Sequence, residues 1–177
     1  MADEHPLVQL ARTTIELYVR SHRRLRPDEA PAGISETQAG VFVTLHTASS
    51  GQLRGCIGTI QPAEDSIVKE VINNAISAAT RDPRFPPVNP GELHDLTIDV
   101  SVLHPPEPIE SIAELDPAVY GVIVQQGWRR GLLLPDIEGI DTAETQVRYA
   151  RMKAGIAPQG DVTLQRFKVD KYVRPLR

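Results

Sequence analysis

Cysteine occurs once in the 177 residues, at Cys56, so no internal disulfide is available, which fits a reducing, cytoplasmic setting. A basic excess is also missing. The formal charge of -4 argues against a general nucleic-acid binder and against a binder of anionic membranes. No apolar run approaches the ~20 residues of a membrane span, and no basic stretch followed by an apolar one opens the chain, so no signal peptide is expected. The five histidines, His5, His22, His46, His94 and His104, lack the close-paired spacing of a structural zinc site, and no metal ligands are assigned. A G-x-G-x-x-G turn and a Walker loop are absent. So is the regular strand–helix alternation of a doubly wound nucleotide fold, and no cofactor is assigned.

What is there is an ordinary globular composition, long enough to bury a core. Pro6 sits in the first turn of a helix whose Leu7, Leu10, Ala11, Thr14, Leu17 and Tyr18 recur at helical spacing. Gly40–His46 alternates and is rich in β-formers, and Leu53–Ile60 is its hairpin partner. Asp65 or Ser66 caps a second helix with the stripe Ile67, Val68, Val71, Ile72, Ala75, Ile76 and Ala79. Asp82–Pro90 carries four prolines and reads as a stiff, extended connection. Glu92–Leu96 reads as one helical turn, 97–103 as a strand and 109–115 as a short helix. Tyr120–Gln125 and Arg129–Leu134 form a second hairpin around Gln126-Gly127-Trp128. Asp141 or Thr142 opens a third helix that Gly155 closes, and 162–169 is a last strand running on towards Tyr172.

The order strand, hairpin, Arg-Gly, strand, Pro, helix occurs twice, near 40–80 and near 121–155. The spacing predicts an α+β fold with a mixed or mostly antiparallel sheet, flanking helices and two hairpin–helix repeats. The whole chain, 1–177, is read as a single domain.

The stretch that stands out is Leu53-Arg54-Gly55-Cys56-Ile57-Gly58-Thr59. Glycine weakens a strand unless a bulge or a close approach needs it, so two glycines around the one cysteine mark a candidate site. This run resembles the hallmark of the AMMECR family, whose prokaryotic branch is called AmmeMemoRadiSam system protein A. Further segments are similar in the family's order: 40–45, Asp82-Pro83-Arg84-Phe85-Pro86-Pro87-Val88, Glu92-Leu93, Val100-Ser101-Val102-Leu103, Gly131-Leu132-Leu133-Leu134-Pro135 and Lys153-Ala154-Gly155. Two departures are visible. Arg151 stands where family members often carry a second cysteine, and 140–146 is less aromatic than usual. The resemblance implies an α+β fold with a larger and a smaller lobe. It implies association with a Memo-type protein and a radical S-adenosylmethionine enzyme, and a biochemical activity that is not established.

On the residues themselves, Cys56 reads either as a thiolate nucleophile or as a small buried hydrophobe. A guanidinium from Arg54 or Arg84 favours the reactive thiolate form. His46, on the partner strand, and His94 and His104, flanking the third strand, are the candidate bases; no spacing picks one, and each also reads as a surface histidine. Arg54, Gly55, Gly58, Thr59, Asp82 and Arg84 are the candidate substrate-binding residues. Arg84 is suited to clamp a carboxylate or phosphate, or to pair with Glu92, while the same residues also suit a structural anchor for the proline-rich loop. Lys153 suits the negative end of its helix. Trp128, beside Arg129 and Arg130, reads as a protein contact or as a ring folded back on the sheet. Two functions stay open: a small cytosolic component of a modification system with a substrate site at Cys56, or a non-catalytic adaptor in which the Cys56 hairpin is structural.

Overall fold

The computed structural model describes residues 3–174. Its contacts divide into two compact units, Met1–Leu103 with Asp170–Arg177, and His104–Val169.

The first unit begins with α1 (Pro6–Ser21). The His5 ring nitrogen Nδ1 accepts the Leu7 N–H at 3.2 Å, which satisfies one of the donors every helix start leaves free. Leu7, Val8, Leu10, Ala11, Ile15 and Val19 line its buried face. Strands β1 (Val41–Thr47) and β2 (Leu53–Gly58) form the first hairpin. Ser66 then caps α2 (Ile67–Thr80), its hydroxyl accepting from Lys69 N–H. A 3-10 turn over Pro90–Asp95 leads into β3 (Leu96–Leu103). The sheet order is β2-β1-β3-β8, closed by the last strand β8 (Val169–Val173). In the centre, Val41, Val43 and Leu45 point into one core with Ile98, Val100, Val71, Ala75 and Ile76. Each fully buried aliphatic side chain there stabilises the fold by about 1.5–3 kcal/mol.

The second unit holds β4 (Glu107–Ile109), β5 (Gly121–Gln126), β6 (Arg129–Leu133), α3 (Ala143–Ala154) and β7 (Thr163–Phe167). Its sheet runs β4-β7-β5-β6 with antiparallel neighbours. Val122, Val124 and Leu133 pack on Val147 and Ala150 of α3. Thr142 caps that helix, and Gly155 closes it in the left-handed region at φ 66°.

The chain is therefore α+β, with two four-stranded sheets and a larger and a smaller lobe. Two expectations change. The stretch 109–115 is not a helix: Ile109 ends β4, and only Ile112–Glu114 makes a 3-10 turn, capped by Ser111. The expected last strand, 162–169, is two strands that belong to different sheets, with the change at Lys168. No helix among the described residues is long and apolar enough to cross a membrane.

One packing device serves both hairpin–helix units. In the first, a side chain on Gly55 would meet the Ala78 carbonyl oxygen at 2.3 Å, and Asn74 of α2 donates to the Val41 carbonyl at 2.9 Å. In the second, a side chain on Gly131 would meet the Ala150 carbonyl oxygen at 2.1 Å, and Gln146 of α3 donates to the Tyr120 carbonyl at 2.8 Å. Gly55 pairs with Leu45, four residues after Val41, and Gly131 pairs with Val124, four residues after Tyr120. In each case a helix lies directly on backbone at a glycine, and a buried amide one turn earlier ties it to the central strand.

Candidate functional site

Gly55 faces α2, so the alternation of β2 turns Cys56 to the other side of the sheet. Cys56 pairs across the hairpin with Thr44. Its N–H points off the edge of the sheet and donates to Asp82 Oδ2 at 2.9 Å. An outward N–H makes Cys56–Thr44 a non-hydrogen-bonded pair, the kind that brings side chains closest. The Thr44 hydroxyl accordingly lies 3.3 Å from the Cys56 sulfur, which is partly exposed.

Asp82 follows the end of α2 and is only 4% exposed. Its carboxylate accepts from four donors. Besides the Cys56 N–H, these are the Arg84 N–H at 3.0 Å, Arg84 Nε at 3.0 Å and Arg84 Nη2 at 2.8 Å. The Arg84 side-chain bonds, then those from the two backbone N–H groups, hold this carboxyl well below the usual carboxylate range despite its burial. The Arg84 guanidinium is raised in turn, first by its bonds to Asp82 and further by the Asp82 charge. More than half of the Arg84 side chain is open to solvent. One buried carboxylate thus fixes both the main chain at the cysteine and an exposed cation.

Phe85 extends the cluster. The guanidinium carbons of Arg84 and Arg54 lie 5.5 Å and 5.9 Å from its ring centre, within cation–π range. Arg54 is buried and grips Glu92 with two bonds, Nε to Oε1 at 2.8 Å and Nη2 to Oε2 at 3.1 Å. Glu92 also accepts the Asn89 N–H at the start of the 3-10 turn. Its carboxyl is lowered by the Arg54 bond first.

The candidates separate accordingly. Cys56, Asp82 and Arg84 share a single hydrogen-bonded cluster, while Arg54 adjoins it through Phe85. Arg84 pairs with Asp82, and it is Arg54 that pairs with Glu92. His46 points along the same side of β1 but is turned to β3, its Nδ1 3.9 Å from Asp99 Oδ2. The empty side of Gly55 is filled by the Ala78 carbonyl, and that of Gly58 by the Phe42 ring, 2.2 Å from where a Cβ would be. Thr59 donates to Glu70 Oε1 at 2.5 Å. Glu70 is buried and also accepts from the Ala63 and Glu64 N–H groups, so it holds the turn from β2 into α2. Among the described residues no three His, Cys, Asp or Glu side chains gather as metal ligands would.

Thr44 and Phe85 were not singled out by sequence reasoning. For Thr44 counting from the turn gives no usable signal: the pair nearer the turn, His46 with Leu53, would set 44 opposite 55, and in the fold it stands opposite 56. The bulge between Leu45 and His46 shifts that count by one for every residue farther from the turn, Thr44 included. Phe85 carried no signal beyond its place between two candidate residues and a proline pair.

A two-lobed α+β chain whose first hairpin carries a glycine-flanked cysteine tied to an Asp-Pro-Arg loop is a recognisable class. The AMMECR1 family model matches residues 8–172, and the chain belongs to that family. It is 54% identical to a Thermotoga maritima protein over 174 residues, 97% of this chain and 99% of the other. It is 42% identical to a Clostridium acetobutylicum protein over 96% of its own length, but spans only 36% of that longer chain. The crystal structure of an uncharacterised Pyrococcus horikoshii protein is similar with a TM-score of 0.85 at 34% identity, over 96% of this chain and 95% of that one.

Proposed function

We propose that this chain is a cytoplasmic component of a modification system and holds an anionic group of a small or peptide substrate against the Cys56 thiol, with Arg84 receiving the negative charge. The observation that carries this is the Asp82 carboxylate, bonded at once to the Cys56 N–H and to two nitrogens of the Arg84 guanidinium. A guanidinium held by one edge keeps N–H groups free on the other, in the planar geometry that suits a carboxylate or phosphate. Anchoring it to a buried carboxylate removes much of the entropy cost of ordering a long side chain. Thr44, in hydrogen-bond range of the sulfur, can relay a proton to or from it. The single cysteine, with no disulfide partner in the chain, supports the cytoplasmic assignment.

The test compares alkylation of the native protein by iodoacetate, an anion, and by iodoacetamide, its neutral counterpart. Cys56 is the only thiol, so labelling reports on it alone. The expected result is labelling by both reagents, with the iodoacetate-to-iodoacetamide rate ratio falling about fivefold in Arg84→Gln. That factor corresponds to the ~1 kcal/mol between unit charges about 4 Å apart in water. No labelling until the protein is denatured would remove the thiol site.

A second reading has its own support. Gly55, Gly58 and Thr59 are all engaged in packing or hydrogen bonding within the fold, as a purely structural hairpin requires. On that reading the chain is an adaptor for the partners the family resemblance implies, a Memo-type protein and a radical S-adenosylmethionine enzyme. Absence of native labelling would favour it.

A further inference from the structure

We propose that the tip of the β5–β6 hairpin and the outward face of α3 form a docking surface for an acidic segment of a partner protein. Trp128 is 86% exposed. The loop does not need it. Gln126 pairs with Arg129, which leaves Gly127-Trp128 as a two-residue connection, and Gly127 supplies the positive φ (61°) such a loop demands. A large ring set in water at a position without local constraint is a ring available to a partner. Arg129 lies 5.2 Å from the ring centre, and its Nη1 donates to the Gly155 carbonyl at 3.0 Å. The hairpin tip and the end of α3 are thereby tied at one end of the unit.

The outward face of α3 adds Tyr149 and Met152, three residues apart and both exposed, with Arg148 stacked 5.6 Å from the Tyr149 ring. Its inward face, Gln146, Val147 and Ala150, is buried. Aromatic, methionine and arginine side chains are the types enriched where proteins bind proteins.

Charge decides what the surface takes. The cations around it are Arg129, Arg148, Arg151 and Lys153; Arg130, next to Gly131 in β6, is turned to the side of the sheet away from α3. Those that make hydrogen bonds reach main-chain carbonyls: Arg129 reaches Gly155, Arg151 reaches Ala157 and Gly160, and Lys153 reaches Leu132. Arg166 of the same unit, by contrast, meets the Glu107 carboxylate at 2.6 Å. Acidic residues close to these elements include Glu144, in the first turn of α3, and Asp161, between α3 and β7, whose carbonyl accepts from Gln126 beside the tip. Elsewhere the cations Arg12, Arg23, Arg54, Lys69 and Arg84 each meet a carboxylate. Among the described residues, a chain of net charge -4 therefore gathers at one apolar end cations that meet no carboxylate. That arrangement complements carboxylates, while the overall negative charge works against a polyanionic nucleic acid.

The probe is a dye-labelled peptide of alternating glutamate and leucine, titrated with the full chain and followed by anisotropy. Its controls are the same peptide with lysine for glutamate and a single-stranded oligonucleotide. The emission of Trp128, the only tryptophan, is read in parallel. The expected result is saturable binding of the acidic peptide with a blue shift of that emission. Binding should weaken at least about tenfold in Arg129→Glu/Arg148→Glu, the two cations that lie against the rings of Trp128 and Tyr149. Arg23→Glu/Lys69→Glu, an equal change of charge elsewhere, should leave it unchanged. No binding, equal weakening by both double variants, an unmoved tryptophan emission, or preference for the lysine peptide overturns the proposal. Preference for the oligonucleotide also overturns it and makes the surface a nucleic-acid site.

Discussion

At Gly55 and Gly131 the absence of a side chain lets a helix rest on backbone, and the cost of adding one is set by what it meets. An alanine usually stabilises relative to glycine by about 0.4–1 kcal/mol through the unfolded chain. Here its Cβ would stand 2.3 Å from the Ala78 carbonyl oxygen, or 2.1 Å from that of Ala150. Neither oxygen can move without its helix, so steric strain wins. Gly55→Ala and Gly131→Ala should each lose about 1–3 kcal/mol in urea denaturation. Gly51→Ala provides the contrast. Its side chain meets nothing within 4 Å, and only the positive φ of 71° opposes it, at a cost of ~1–2 kcal/mol. If Gly55→Ala and Gly131→Ala melt like the parent, the helices do not depend on these contacts.

At the scale of elements, α1 carries an unusual cap. The His5 Nδ1 accepts a hydrogen bond from Leu7, which only an unprotonated nitrogen can do. Burial lowers the affinity of this imidazole for a proton, and the ring stacks on Tyr172 with centres 3.7 Å apart. Its folded pKa lies below the ordinary value of about 6.5, so its contribution is present above that pH and is lost as pH falls through the folded value. His5→Asn keeps a good cap acceptor without a titrating group. Between pH 7 and 5 the parent should lose stability relative to this variant, measured as the difference in thermal midpoint. A constant difference would show that the cap does not titrate.

The helices and both hairpins were legible because their signals are local: apolar period, capping residues, and glycine or proline at the ends. The two strands in 162–173 were not. Alternation continues through Lys168, and nothing in a period of two says to which sheet a residue pairs. In the segment 109–115, Ser111 and Glu114 form a capping box, a helix-start motif that here closes only one 3-10 turn. The candidate cluster was half legible. The glycine-flanked cysteine and the Asp82–Arg84 loop could be marked, since both break local rules. Which arginine meets which carboxylate depends on how α2 brings residue 82 to the edge of β2, and no sequence spacing encodes that.

Across the molecule, carboxylates held in the ionised form set the response to acid. Asp82, Glu92, Glu29 and Glu114 are all lowered, the first two by their arginine partners before anything else, the last two mainly by backbone N–H groups. A depressed folded pKa means the unfolded chain takes up protons first. The stabilisation is therefore complete above the unfolded value of about 4 and is lost as pH falls towards the folded values. These groups leave stability level between pH 5 and 8 and erode it below about 4. Asp82 is the most buried of the four and the most depressed, so it should dominate that slope. Asp82→Asn keeps the shape but gives up the charge that four donors converge on, and should cost ~1–3 kcal/mol at pH 7. The gap between parent and variant should stay constant down to about pH 5 and narrow below pH 4, as the parent's unfolded chain takes up the proton that the folded carboxylate still refuses. Urea denaturation at pH 7, 5, 4 and 3 reads this directly. A gap that stays the same at pH 3 as at pH 7 would mean that Asp82 anchors Cys56 and Arg84 by shape and hydrogen-bond geometry, with its charge contributing nothing.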